Sequence, residues 1–273
     1  MLQHRIIRRS PHEWNVLEGG PKNAPLILFL HGAGASSQSF GAVMEELSND
    51  YRVVAPDLPG HGRTRLGSGQ RSSLDCMAAD ITLLMDTEYA VPKLVVGHSA
   101  GGAIAVRLSE TLSPRGHILI NPALSPFTGP AGWAFPALAK GLVATPFAAD
   151  VITGLVGRPR RIAALLDATG SEINEEIFER YLALARDSQH IRGTLKMMAA
   201  WDVRNLASKL EGIKDNTLCL LGANDGTVPI AEAKRSLASI QQDRISVLQG
   251  GHLLHEEHPK DVAKITHDFA MAM

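Results

Sequence analysis

Residues 94–102, Leu-Val-Val-Gly-His-Ser-Ala-Gly-Gly, constrain the fold of this chain more than any other stretch. Leu94, Val95 and Val96 form a short apolar run without polar alternation, the pattern of a strand buried on both faces. The run passes directly into Gly97-His98-Ser99-Ala100-Gly101, and a helical pattern follows over 103–112. A backbone that turns from strand to helix this sharply needs small residues two before and two after the turn, and Gly97 and Gly101 supply them. Ser99 then sits on a strained turn at the end of a buried strand. A Gly-rich turn with an idle serine would share the pentapeptide, so its context has to decide.

That context is a recurring rhythm. Apolar runs at 26–30, 52–55, 94–96, 118–120, 218–221 and 245–248 are bounded by turn residues and separated by helix-length segments. Strands alternating with helices imply an α/β fold with a mostly parallel sheet covered on both faces. Residues 5–8 and 14–17 pair as an antiparallel hairpin at one edge, which makes the sheet eight-stranded. The rhythm stops after Ile120: residues 122–212 contain many prolines and helical patterns at 175–186 and 189–201, but no strand signal. The expected organisation is a core of 1–121 and 213–273, with 122–212 inserted as a helical cap over the strand ends. A last helix is expected over 259–273, with Val262, Ile265 and Phe269 on one apolar face.

Composition narrows the function. Lys and Arg number 27 against 28 acids, so no net field favours nucleic acid or an anionic membrane. No run approaches the ~18 apolar residues of a membrane helix, and the N-terminal residues lack a secretory apolar core. Cys76 and Cys219 are far apart and form no motif, which points to a reducing cytoplasm.

A serine hydroxyl becomes a useful nucleophile only when a base takes its proton and an acid orients that base. Asp225, in Gly-Ala-Asn-Asp-Gly-Thr after the run 218–221, and His252, after the run 245–248, follow Ser99 in the order acid then base. Asn224-Asp225-Gly226 would also make an ordinary turn. The other common position for the acid, after 118–120, holds Asn121, which carries no charge. The oxyanion of such chemistry needs two backbone N–H donors, expected at Ala100 and at Ala33 in the loop His31-Gly32-Ala33-Gly34. His31, Asp57 and His61 read as scaffold.

His252, His255 and His258 crowd one segment, but their spacing of three and six residues does not match a helical zinc motif such as H-E-x-x-H. No metal and no cofactor is therefore expected; His252 is the base, and His255 and His258 lie along the turn into the last helix, pointing away from Ser99.

These residues carry a family resemblance. "LFLHGAGAS", "RVVAPDLPGHGRT", "VVGHSAGGAIA", "LLGANDGTVP" and "GGHLLHEEHP" resemble, in order, the recurring blocks of the α/β-hydrolase superfamily and cover 26–121 and 217–273. The resemblance implies the α/β-hydrolase fold, with Glu257 and Pro259 as structural marks. "INPALSPFTGPAGWAFPALAK", "KMMAAWDVRNLA" and "MAADI" further resemble the magnesium-chelatase accessory proteins of bacteriochlorophyll synthesis. That implies a tetrapyrrole intermediate as substrate, or magnesium-chelatase subunits as partners. Phe127, Trp133, Phe135, Met198 and Trp201 are candidates to line a pocket between cap and sheet, although helix packing accounts for most such residues. The expected activity is hydrolysis of an ester, thioester or carbon–carbon bond. The competing expectation is a non-catalytic accessory or tetrapyrrole-binding protein.

Overall fold

The computed structural model describes residues 1–67, 69, 71–126, 141, 145 and 148–273. Its strands are β1 (Gln3–Arg9), β2 (His12–Gly19), β3 (Leu26–Leu30), β4 (Arg52–Pro56), β5 (Leu94–His98), β6 (Gly116–Ile120), β7 (Thr217–Gly222) and β8 (Ile245–Leu248). They form one sheet in the order β1-β2-β4-β3-β5-β6-β7-β8. β2 runs antiparallel to β1 and β4, and every other pairing is parallel. The chain thus has the eight-stranded, mostly parallel α/β sheet expected from its rhythm.

The central strands β3, β5 and β6 are buried along their whole length, and their period of two divides the core into two layers. Ile27, Phe29, Leu94, Val96, Ile118 and Ile120 pack with Val43, Met44 and Leu47 of α1 (Gly41–Leu47) and Val262 and Phe269 of α11 (Pro259–Met271). Leu28, Leu30, Val95 and Leu119 face the other way. They meet Met77, Ile81 and Leu84 of α2 (Leu74–Glu88) and Ile104 and Leu108 of α3 (Ala100–Leu112). Truncating a leucine to alanine in either layer would cost about 2–5 kcal/mol. β5 outruns the expected 94–96 because Gly97 and His98 also pair, with Leu119 and Ile120. The ladder therefore carries the chain up to Ser99.

Between β6 and β7 the described residues contain five α-helices, a 3-10 turn (Lys214–Asn216) and no strand; the α-helices are α4 (Ala148–Val156), α5 (Pro159–Asp167), α6 (Glu175–Ala185), α7 (Ser188–Ala200) and α8 (Leu206–Ile213). Side-chain caps fix two of their starts. Asn174 Oδ1 accepts the Ile177 N–H at 2.9 Å, and Asp187 Oδ1 accepts that of Gln189 at 2.8 Å. α5 and α6 share a small apolar cluster of Ile162, Leu166, Leu182 and Ala185, closed by Leu253 from the far end of the chain. α8 differs, since Leu206 and Leu210 join the sheet-covering layer of α3.

After β7 come α9 (Ile230–Ser236) and, beyond β8, α10 (Leu254–Glu257). α10 occupies a segment expected as loop. Its single turn drives Leu254 into the layer under α1, where it is fully buried. No described helix is long and apolar enough to cross a membrane.

Candidate active site

The C-terminal ends of β5, β7 and β8 bring three loops together. Ser99, directly after β5, has φ 53° and ψ −115°, a conformation that costs a non-glycine residue about 1–3 kcal/mol. Its neighbours over-determine it. The Ser99 N–H donates to the Ile120 carbonyl at 3.0 Å, while its own carbonyl accepts from Gly102 at 3.0 Å and Ala123 at 3.1 Å. The close approach also explains the motif: a Cβ on Gly101 would lie 2.0 Å from the Leu30 carbonyl oxygen, and one on Gly97 2.4 Å from that of Gly101. The half-buried Ser99 hydroxyl makes no hydrogen bond to a described residue.

Asp225 follows β7 and divides its carboxylate between two tasks. Oδ1 accepts the N–H groups of Thr227 and Val228, each at 2.8 Å, which forms the turn that an Asn-Asp-Gly sequence favours. Oδ2 accepts from His252 Nδ1 at 2.8 Å, with the two side chains only 1% and 7% exposed. Because Nδ1–H donates to the carboxylate, the lone pair lies on Nε2. The His252 carbonyl accepts from His98 Nε2 at 2.8 Å and from Asn121 Nδ2 at 3.0 Å, and its N–H donates to the Thr169 carbonyl at 3.0 Å. The geometry therefore joins Asp225 to His252 directly, and it joins Ser99 to His252 through the neighbouring His98 rather than through the hydroxyl.

The loop after β3 carries Ala33, exposed, and Ala100 opens α3 at 5% exposure. Neither N–H donates to a described residue. Scaffold residues hold this loop. His31 Nδ1–H donates to the Gly32 carbonyl at 2.8 Å and Nε2 accepts the Leu58 N–H at 2.9 Å, which occupies both ring nitrogens. Asp57 accepts from Ser37, Asn15 and Arg63 at 2.7–2.8 Å. His190 of α7 accepts the Gly62 N–H at Nδ1 and donates from Nε2 to the Gly34 carbonyl.

Histidines dominate the electrostatics. Burial lowers the affinity of His31 for a proton and drives those of His61 and His98 well below the usual imidazole value. Burial also takes His190 to about 4 and His255 to about 3. His255 departs from expectation. Instead of lying along the turn into the last helix and pointing away from Ser99, it is fully buried, its ring 4.4 Å from both Phe40 and His98, the residue before Ser99, because α10 turns it inward beside Leu254. Next to it, Glu256 accepts from Arg180 at 2.5 Å and Tyr181 at 2.7 Å, and burial raises it to about 7. Among the described residues no group of three or more His, Cys, Asp or Glu could hold a metal ion.

A cavity of about 210 Å³ opens between the loops after β6 and β7, lined by Pro122, Leu124, Ser125, Thr227, Val228 and Glu232 among others. Of the residues expected to line a pocket, Met198 and Trp201 are half-buried and absent from this lining, and Trp201 packs on the layer of α3. Phe127, Trp133 and Phe135 lie outside the described residues. Sequence reasoning missed Asn121 as the clamp on His252, although the position itself was singled out. It missed Thr169 because a backbone carbonyl leaves no trace in residue type.

Residues 27–265 match the family model described as "Alpha/beta hydrolase family". The chain is 42% identical over 253 residues to the magnesium-chelatase 30 kDa subunit of Rhodobacter capsulatus, spanning 91% of this chain and 88% of that protein. It is 25% identical over 264 residues to the pyrrolizixenacetamide deacetylase of Xenorhabdus hominickii, with 91% of each chain covered. An epoxide hydrolase structure from Solanum tuberosum superposes with a TM-score of 0.78 at 20% identity over the whole of both chains.

Proposed function

The chain belongs to the alpha/beta hydrolase family, and from that premise we propose that it is a serine hydrolase with Ser99 as nucleophile, His252 as base and Asp225 as orienting acid. The observation that carries the reading is the buried 2.8 Å bond from His252 Nδ1 to Asp225 Oδ2, which leaves Nε2 as the proton acceptor. Asp225 fixes the tautomer and stabilises the imidazolium that forms.

Ser99 Oγ attacks a carbonyl carbon while His252 Nε2 takes its proton. The oxyanion accepts hydrogen bonds from the Ala33 and Ala100 N–H groups. Collapse breaks the bond to the leaving group, which takes the proton from His252 and leaves an acyl group on Ser99. Water, deprotonated by His252, then attacks the acyl carbon and regenerates the serine. An ester, a thioester or an activated carbon–carbon bond suits this sequence of steps. Residues 122–212 act as a helical cap over a core of 1–121 and 213–273 and determine the substrate.

The 42% identity to a magnesium-chelatase subunit supports a link to magnesium chelation in bacteriochlorophyll synthesis, with a tetrapyrrole intermediate as substrate and chelatase subunits as partners in the cytoplasm. The same identity favours a second reading, a non-catalytic accessory or tetrapyrrole-binding protein for the chelatase. A fluorophosphonate probe separates the two. Covalent labelling of Ser99 that is lost in His252→Ala supports the hydrolase; a folded wild-type protein whose Ser99 does not label supports the accessory role.

A further inference from the structure

The turn between α5 and α6, Ala168 to Ser171, touches both halves of the acid–base pair. The Thr169 carbonyl accepts the N–H of Gly226, the residue after Asp225, and the N–H of His252, each at 3.0 Å. One oxygen atom of the β6–β7 connection thus holds the backbone beside the acid and the backbone of the base. Ser171 Oγ accepts the Leu253 N–H at 2.8 Å. Glu257 extends the joint, accepting Gly251 N–H on Oε1 at 2.8 Å and Glu172 N–H on Oε2 at 3.0 Å.

The three loops meet backbone to backbone. Gly170 has φ +74°, and a Cβ there would lie 1.9 Å from the Asn224 carbonyl oxygen. A Cβ on Gly251 would lie 2.3 Å from the Gly170 carbonyl carbon. Leu253, fully within the apolar cluster of α5 and α6, ties the segment down from the other side. From the sheet side, His98 and Asn121 hold the His252 carbonyl, Asn121 also holds that of Gly251, and the Asn224 N–H donates to the Gly250 carbonyl at 2.9 Å. The sheet side therefore holds the carbonyls of this segment, and among the described residues the His252 N–H donates to Thr169 alone.

We infer that the Ala168–Ser171 turn is a positioning element for the reaction: Thr169 and Gly170 set the separation of Asp225 and His252, so that the base is assembled jointly by the sheet and by the β6–β7 connection. A consequence is that this turn stays docked whenever the pair is competent, and substrate enters elsewhere. The catalytic consequence rests on the hydrolase reading, but the geometric claim concerns only the proton shared by His252 and Asp225.

The test uses the full chain with Gly170→Ala, Ser171→Ala and, as a control, Gly154→Ala, whose added Cβ meets nothing within 4 Å. Two readouts are taken: the low-field proton NMR resonance of His252 Nδ1–H, and the rate of Ser99 labelling by a fluorophosphonate. Gly170→Ala should shift or broaden the resonance and slow labelling at least tenfold. Ser171→Ala should move both in the same direction by a smaller amount, about threefold in rate, and Gly154→Ala should move neither. A folded Gly170→Ala protein with the wild-type resonance overturns the inference, whether or not labelling slows, because the turn would then act elsewhere. If Gly170→Ala does not fold, Ser171→Ala decides on the same criterion. A wild-type protein that shows the resonance but does not label refutes the hydrolase reading, and the positioning claim is then judged on the resonance alone.

Discussion

Acidification from about pH 7.5 to about pH 5 should destabilise this protein steeply, and the loss can be worked out residue by residue. Burial holds His117 and His190 at about 4 and His255 at about 3 in the folded chain. In the unfolded chain each titrates at the ordinary value of 6.5. Between these values the unfolded state binds the proton and the folded state does not, so stability is fully present above 6.5 and is lost as the pH falls towards the folded value. At pH 5 the gap is about 1.5 units per residue, or about 2 kcal/mol each and about 6 for the three. Glu256 opposes them. Raised to about 7 in the fold, it takes up a proton there before the unfolded chain does, and returns about 3 kcal/mol over the same interval. The net loss of about 3 kcal/mol, enlarged by His31, His61 and His98, is a large part of a usual stability of about 5–15 kcal/mol. His117 isolates the effect, because it lies in β6 with neither ring nitrogen bonded to a described residue. Urea unfolding of wild type and His117→Leu at both pH values should show the acid-induced loss smaller by about 2 kcal/mol in the variant. An identical loss in the two proteins would refute the assignment of His117 as a neutral, buried base.

His252→Ala should lower turnover at least about a thousandfold, whereas His258→Ala should stay within about twofold, measured by probe labelling of Ser99. His255→Ala should instead lower the urea midpoint, because it opens space between Phe40 and His98. Asn121→Asp replaces the donor to the Gly251 and His252 carbonyls with an acceptor, and should cost about 1–3 kcal/mol in unfolding free energy while slowing labelling. Glu256→Gln removes an acid that is forced to ionise in the core above about 7, so its stability relative to wild type should improve by about 2 kcal/mol between about pH 5.5 and 7.5.

Much of the sheet was legible because burial on both faces leaves a mark in residue type. Ile27 to Leu30 and Leu94 to Val96 are apolar without alternation, and the structure buries each of them. Strand ends were less legible, since Gly97 and His98 pair for a geometric reason that their side chains do not advertise. Asp225 and His252 could be singled out by their order after strands, and they do meet. The insides of the loops could not be read. His255 reads in sequence as part of the turn into the last helix and is buried because a single helical turn at Leu254–Glu257 rotates it inward. Thr169 and Gly170 act through backbone atoms, for which the residue letter carries almost no information.

The crowd of histidines at the strand ends poses a problem of proton placement, and the carboxylate resolves it. Six of these histidines form two sets of ring contacts, His31, His61 and His190 in one and His98, His252 and His255 in the other. The proposed reaction requires the proton leaving Ser99 to rest on the one ring that can pass it to a leaving group. Among the described residues only His252 of the six hydrogen-bonds a carboxylate, through Asp225. Burial and mutual repulsion push the affinities of His98 and His255 below that of an ordinary imidazole. In the proposed reaction the ring beside a carboxylate is therefore the one fit to carry the charge, and the neutral rings of His98 and His255 pack against its side of the site. The same argument explains why histidine is tolerated at 98 and 255: a lysine or arginine there would keep its charge and repel the imidazolium on which the proposed reaction depends.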